Sequence, residues 1–312
     1  MVAVDLNVIN YEIVCVDDCS TDDSARVLEQ IKKGNPQMRI LRNESNRGVS
    51  YSRNRLIREA NGKYIWFIDP DDVLNASAVM PMLQYVKESN ADVLLGNYQR
   101  FIDGNPIPEI SVGNLNFERS DDLPTDEQGI KMNVIWAGPI KREYLLNNSL
   151  FFNKGMIAQE DTLFYWNMRL SKPNRHKCDA ICYYYRIRNT SVMHSKSASR
   201  AVAYYKAMRE MLETYEGQKV TVPDEFEAEL QNKIHHSQEN VAYTLACLPD
   251  KEFVKAELKE LKINAVYPYA FRKEALSAPR RNTLLKLLTF LLPMEPAFWL
   301  LHYVYNKKYN LK

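Results

Sequence analysis

Tyr64-Ile65-Trp66-Phe67-Ile68-Asp69-Pro70-Asp71-Asp72 reads as a buried strand that ends abruptly in three carboxylates. Packing does not ask for such an ending, because carboxylates are almost never buried unless paired or bound to a metal. Hard cations such as Mg²⁺ take carboxylate oxygens together with substrate phosphates. Pro70 fixes its own φ and drives Asp69 towards an extended conformation. The acidic groups then emerge at the carboxyl end of the strand, where open α/β sheets bind ligands. A plainer alternative is an Asp-rich turn that caps the next helix.

Outward from this stretch, strands and helices alternate. Tyr11–Val16, Met38–Leu41 and Val93–Leu95 read as strands. Ser24–Lys33 carries Ala25, Leu28 and Ile31 at helical spacing, with Thr21 or Asp22 as cap, and Val49–Ala60 and Ala76–Ser89 are helical. Strands alternating with helices of this length imply βαβ units and a mostly parallel sheet. Residues 100–125, rich in Asp, Pro, Gly and Asn, predict a hairpin or a surface excursion. Residues 126–170 read as mainly helical, Cys178–Arg186 as a further strand, and 201–261 as mostly helical.

The 312 residues suffice for one large or two smaller domains. A net charge of +2 makes no general case for nucleic-acid binding. Eight Lys/Arg against two Asp/Glu between Arg272 and Lys312 give that end a local +6. Five cysteines are no disulfide framework in a chain this long; Cys15/Cys19 and Cys178/Cys182 have zinc-compatible spacing, but Cys15 lies inside an apolar strand and Cys182 enters Tyr183-Tyr184-Tyr185, so core packing is the better reading. The first ten residues lack the pattern of a signal peptide, which points to the cytoplasm. Thr283–Leu292 and Ala297–Tyr305 are apolar runs interrupted by Pro293, Glu295 and Pro296, each too short to span a bilayer. Flanked by Arg280, Arg281, Lys286, Lys307 and Lys308, they fit an interfacial segment on an anionic membrane, or a helical hairpin packed on the domain.

Four further stretches carry chemistry. Val16-Asp17-Asp18-Cys19-Ser20-Thr21-Asp22 follows the first strand and opens a helix. Asn46-Arg47-Gly48-Val49-Ser50-Tyr51-Ser52-Arg53-Asn54 offers a glycine, hydroxyls and guanidiniums at a helix start, where anions are favoured. Gln159-Glu160-Asp161-Thr162 puts two carboxylates at another helix start, either for the macrodipole or as a general base. Tyr183 to His194 mixes aromatics, cations and an imidazole.

In this order, VDDCSTDDS (16–24), NRGVSYSRN (46–54), ANGKYIWFIDPDD (60–72), QEDTLF (159–164) and YYYRIRNTSVMH (183–194) resemble the inverting family 2 glycosyltransferases with the GT-A fold. The resemblance covers residues 11 to about 194. It implies sugar transfer from a nucleotide sugar, usually UDP-linked, to a saccharide or lipid-linked acceptor in surface polysaccharide assembly, with Mn²⁺ or Mg²⁺ on the diphosphate. Carried over by residue, Asp18 would contact the base, Asp69 the ribose and Asp71 the metal. Arg53 would lie beside the donor, and Asp161 would be the catalytic base. His194 and Arg188 would hold the metal or diphosphate, and Trp136 and Glu160 would meet the acceptor, although a buried Trp is the plainer reading of the first.

Two departures matter. Only Val2–Asn10 precede Tyr11 and they do not match the family's first βα unit, so an N-terminally truncated sheet with an open edge beside the donor pocket is expected. Cys19 stands where the family usually has Gly, so its backbone is expected to avoid positive φ. The resulting plan is a GT-A-like, doubly wound α/β domain over 1–197. A helical region over 198–312 follows, with a membrane-associated tail at about 280–306 reaching the inner face of the cell membrane. A non-catalytic remnant that binds a partner is the alternative. A nucleotidyltransferase would need a Gly-rich phosphate loop near the N-terminus, and none is seen.

Overall fold

The structure, a computed structural model, describes residues 10–108, 115–129, 133–156, 158–188, 198–263 and 294–309. They fall into two compact units, one built from 1–155 and 160–191, the other from 156–159 and 192–312.

The first unit holds two sheets. β1 (Ile13–Asp17) and β2 (Met38–Arg42) pair in parallel, Ile13 opposite Met38 through Asp17 opposite Arg42, with α1 (Ser24–Lys33) between them in sequence. The larger sheet has the order β3 (Tyr64–Ile65), β7 (Ile140–Lys141), β5 (Val93–Ile102), β8 (Arg175–Ile187), β4 (Val73–Leu74), with β6 (Phe117–Arg119) also on β8. Its long ladder, β5 with β8, is parallel, and the short pairings are antiparallel. The helices α2 (Val49–Glu59), α3 (Ala76–Ser89), α4 (Arg142–Asn147) and α5 (Glu160–Leu170) complete the unit. This is the mixed, parallel-rich α/β architecture that the alternation implied.

The local chemistry follows the sequence where caps and periodicity are strong. Asn75 caps α3, accepting from Ser77 N, and Asn90 ends it in the left-handed region at φ 51°. Gly48 caps α2 at φ 81°, a conformation that favours glycine. Four readings need correction. The strand expected over Tyr64–Ile68 leaves the sheet after Ile65, because its partner β7 is only two residues long and follows Pro139, which has no N–H to offer. The strand expected over Val93–Leu95 instead runs to Ile102, since β8 offers a partner along that whole length. The described residues of 126–170 are not mainly helical: α4 and α5 are the helices among them, and Val134–Ala137 is a buried irregular stretch ended by Gly138-Pro139. Cys19 does adopt positive φ, at 62°, a strained choice for a non-glycine residue.

Among the described residues, the edges of β1 and β3 away from β2 and β7 carry no strand. Ile13 is 41% exposed and α1 buries no residue fully. A side chain bridges the two sheets instead. Glu12, just before β1, accepts from Asn61 N and Gly62 N at the entry to β3 and pairs with Arg39 of β2 at 2.8 Å. Partial burial pushes the Glu12 carboxyl up, but these donors outweigh it and hold it below the usual range.

The core lies between the larger sheet and its helices, with Ile57, Met82, Leu94, Tyr98, Ile140, Phe164 and Tyr183 among its residues. The second unit contains α6 (Ala198–Gly217), α7 (Asp224–Ala246), α8 (Lys251–Ile263) and α9 (Met294–Tyr309). α9 packs against α7 and buries Phe298 and His302 one helical turn apart, while Tyr303 stays 62% exposed. The tail expected at about 280–306 is therefore described only from Met294 onward. No helix among the described residues is long and apolar enough to cross a membrane.

Candidate active site

β8 fixes the acidic turn. Val73 and Leu74 pair with Tyr184 and Tyr183, which brings Asp69–Asp72 beside the carboxyl half of β8. Asp72 N donates to Asp69 O at 3.1 Å and closes the turn around Pro70. Asp69 N donates to the Tyr183 hydroxyl at 3.1 Å, and Arg186 N donates to Asp72 Oδ1 at 2.8 Å. The Arg186 guanidinium binds the Asp71 carbonyl and Asp103. Arg188 reaches Asp71 Oδ2 at 4.0 Å. Burial, reinforced by the Asp71 and Asp69 carboxylates, pushes Asp72 up to about 6 against the pull of Arg186 N and Tyr183.

α5 presents the second acidic pair. Arg53, a buried residue of α2, places one terminal nitrogen 2.9 Å from Asp69 Oδ1 and the other 2.8 Å from Glu160 Oε1. Burial opposes its charge, but Asp69, Glu160 and Asp161 outweigh that and hold the guanidinium above its ordinary range. Asp161 has no cation within ion-pair distance among the described residues, and Thr162 N donates to its Oδ1 at 2.8 Å. Burial first, then the Glu160 carboxylate, push Asp161 up to about 6, with Arg53 pulling the other way. A half-buried carboxylate with its pKa raised towards neutrality, next to an acidic turn, is a functional-site signature.

Asp18 works on the neighbouring loop. Its oxygens accept from Asn43 Nδ2 at 2.6 Å, Arg47 N at 3.0 Å and Gly48 N at 2.7 Å, so it holds the start of α2. Burial raises this carboxyl, but the three donors prevail and keep it low.

The structure thus brings Arg53, Asp69, Glu160 and Asp161 together, and Asp71 with Arg188. His194 lies outside the described residues. Trp136 needs correction: only 3% exposed, it stacks on Tyr183 at 4.3 Å and lies parallel to Tyr185 at 5.8 Å, so it has no open face for an acceptor sugar. It supports the ring whose hydroxyl anchors Asp69. The positioning roles of Tyr183 and Arg186 were not read from the sequence, although both lie in the quoted 183–194 stretch. Asn43 carried no signal at all.

The residues suit a divalent cation. Asp72 is half-buried among like charges, its buried Oδ2 accepts no hydrogen bond, and Asp71 faces outward beside it. No three His, Cys, Asp or Glu groups among the described residues are gathered into a metal cage.

Residues 3–145 match the model of glycosyl transferase family 2. That stretch carries the first and second acidic segments of the site, Asp17-Asp18 and Asp69–Asp72, and resembles this family. The poly(ribitol-phosphate) beta-glucosyltransferase of Bacillus spizizenii is 29% identical over 65% of this chain and 31% of its own length. The poly(ribitol-phosphate) beta-N-acetylglucosaminyltransferase TarS of Staphylococcus aureus is 23% identical over 64% of this chain and 34% of its own. The chain thus spans about a third of the length of these relatives. The crystal structure of S. aureus TarS 1-349 superposes with a TM-score of 0.50 at 20% identity, covering 96% of this chain and 79% of that one, a likeness of GT-A fold.

Proposed function

We propose that this protein is an inverting glycosyltransferase that moves a sugar from a nucleotide sugar, UDP-linked, to a hydroxyl of a saccharide or lipid-linked acceptor in surface-polymer assembly. The relatives named for poly(ribitol-phosphate) glycosylation make a polyol-phosphate polymer one such acceptor. The observation that carries the reading is Asp161, a half-buried carboxylate at the start of α5 beside the Glu160–Arg53–Asp69 cluster, which burial and the neighbouring carboxylates raise to about 6. A base with a pKa near the working pH combines the ionised form with useful basicity.

Asp161 takes the proton of the acceptor hydroxyl as that oxygen attacks the anomeric carbon. The new carbon–oxygen bond forms as the bond to the diphosphate breaks, and the electron pair leaves with the nucleoside diphosphate. A single displacement inverts the anomeric centre. Asp71 would hold Mn²⁺ or Mg²⁺ with His194 joining it in this reading, and Asp69 would meet the ribose. When bound, the cation supplies charge neutralisation at the leaving diphosphate.

Calorimetry of UDP with and without Mn²⁺ tests the donor site. The wild-type chain should bind UDP more tightly with the metal, and Asp71→Ala should remove roughly tenfold or more of that affinity, about 1.4 kcal/mol. Equal binding by the variant would remove Asp71 from the site. A non-catalytic binder is the second reading, favoured by the separation of β1–β2 from the main sheet. It predicts UDP binding without turnover.

The same proposal places the enzyme on the cytoplasmic face of a membrane through its tail. Tyr303 and Lys307, exposed on α9, are its described contact candidates. Tyr303→Ser with Lys307→Ser should at least halve co-sedimentation with anionic liposomes, as the loss of about 1 kcal/mol per surface cation implies. Unchanged sedimentation would remove the contact.

A further inference from the structure

We infer that Arg53 is a positioning residue that locks α5 onto the acidic turn, capturing Glu160 and leaving Asp161 as the free carboxylate of the pair. The inference rests on the reading of Asp161 as the base.

The geometry is that of a fork with both prongs occupied. Arg53 is only 10% exposed along its side chain, and its two terminal nitrogens meet Asp69 Oδ1 at 2.9 Å and Glu160 Oε1 at 2.8 Å. These partners belong to different elements, 16 and 107 residues away in sequence. A planar guanidinium can hold two carboxylates at fixed angles, which a lysine ammonium on a flexible stem cannot reproduce. The frame behind it is equally fixed. Asn54, next to Arg53, donates from Nδ2 to Phe152 O at 2.7 Å and accepts from Phe152 N at 2.7 Å. The Phe152 ring lies 5.4 Å from the guanidinium and stacks at 4.1 Å on Phe164, one turn along α5 from Glu160. α2 and α5 are therefore joined twice, by the ion pair and by the ring stack.

The charge balance gives this joint a purpose. Three carboxylates, Asp69, Glu160 and Asp161, surround one guanidinium. Two adjacent carboxylates at a helix start compete for the same cation. With Glu160 held, Asp161 lacks a paired cation and keeps the basicity that proton transfer needs. The charged groups facing Asp161 are Glu160 on its own helix, Arg53 from α2 and Asp69 from the turn. With both prongs engaged, Arg53 acts on the reaction through other side chains rather than on the donor.

The test is a set of full-length variants, Arg53→Lys, Arg53→Met and Glu160→Gln, alone and with Arg53→Lys. UDP release from a UDP-sugar is followed across pH 5–9, beside UDP affinity by calorimetry and Asp161→Asn as comparator. Arg53→Lys should lower kcat by about 10- to 100-fold, as a misplaced catalytic group does. Its Kd for UDP should stay within about threefold. In Arg53→Met the acidic limb of the kcat profile should move to higher pH, because the cation that lowers Asp161 is gone. Glu160→Gln should make the Arg53→Lys loss markedly smaller. A UDP affinity that falls as far as kcat, or an acidic limb that stays in place, would overturn the inference and make Arg53 a donor ligand. If Arg53→Met does not fold, the Arg53→Lys and Glu160→Gln cycle decides, and additive losses would refute the coupling. An Asp161→Asn variant as active as the wild type would instead defeat the underlying reading.

Discussion

Asp161→Asn is expected to lower sugar transfer by about 10³-fold and, at the same time, to stabilise the folded chain at pH 7. The first effect follows from removing the base and replacing it with an amide of the same shape that cannot take a proton. The second follows from burial. In the folded chain the Asp161 carboxyl titrates at about 6, well above the range of an exposed aspartate. Keeping it ionised therefore costs folding energy, fully above about pH 6, falling off below it and vanishing below about pH 4, where both states are protonated. The penalty at pH 7 is about 2 kcal/mol, allowing for relaxation of the site. Urea denaturation at pH 7 and pH 4 should show the variant more stable at the first and equal at the second. A variant that loses both activity and stability at pH 7 would mean that Asp161 is structural.

Gly138→Ala carries the largest expected cost to the fold. Leu94 N donates to Pro139 O and Gly96 N donates to Ala137 O, so the stretch around Gly138 lies flat against the start of β5. A Cβ at residue 138 would stand 2.0 Å from the Leu94 carbonyl oxygen and 3.1 Å from Leu95 Cα. Both neighbours are backbone of the buried first half of β5, so neither can swing away. Relief requires breaking the two hydrogen bonds or displacing Trp136, and with it the Tyr183 ring beneath the acidic turn. The cost is about 4 kcal/mol, at the exceptional end for a single substitution and a large part of a domain's stability. A melting temperature lowered by ten degrees or more, or failure to accumulate folded protein, is the expected outcome. Wild-type melting would mean that the chain passes β5 differently.

What the sequence disclosed follows the reach of each physical signal. Local signals did well: the spacing of Ala25, Leu28 and Ile31 and the helical stretch Ala76–Ser89 are properties of a few turns of chain, and both helices stand where they pointed, although Asp23 rather than the expected Thr21 or Asp22 stands at the N-cap of the first. The acidic turn was visible because three carboxylates after an apolar run conflict with burial. Partnership across the chain was not visible. Tyr64–Ile68 has the composition of a strand, but its length in the sheet is set by Pro139, 75 residues after Tyr64. Glu160 was read as an acceptor contact, since nothing local shows that Arg53 reaches it. Trp136 illustrates the same limit, because an aromatic that stacks on a sugar and one that stacks on Tyr183 look alike in a sequence. Cys19 shows a local rule overruled: the turn after Asp17 takes a left-handed residue whether or not glycine is there to supply it.

The most direct measurement is the time course, by proton NMR, of sugar released when the chain hydrolyses α-linked UDP-glucose or UDP-N-acetylglucosamine with water as acceptor. The wild-type chain with Mn²⁺ should release the β-anomer first, with the α-anomer appearing only by later mutarotation, and Asp161→Asn should release neither above background. First release of the α-anomer, or turnover by Asp161→Asn at the wild-type rate, would contradict a single inverting displacement driven by this carboxylate.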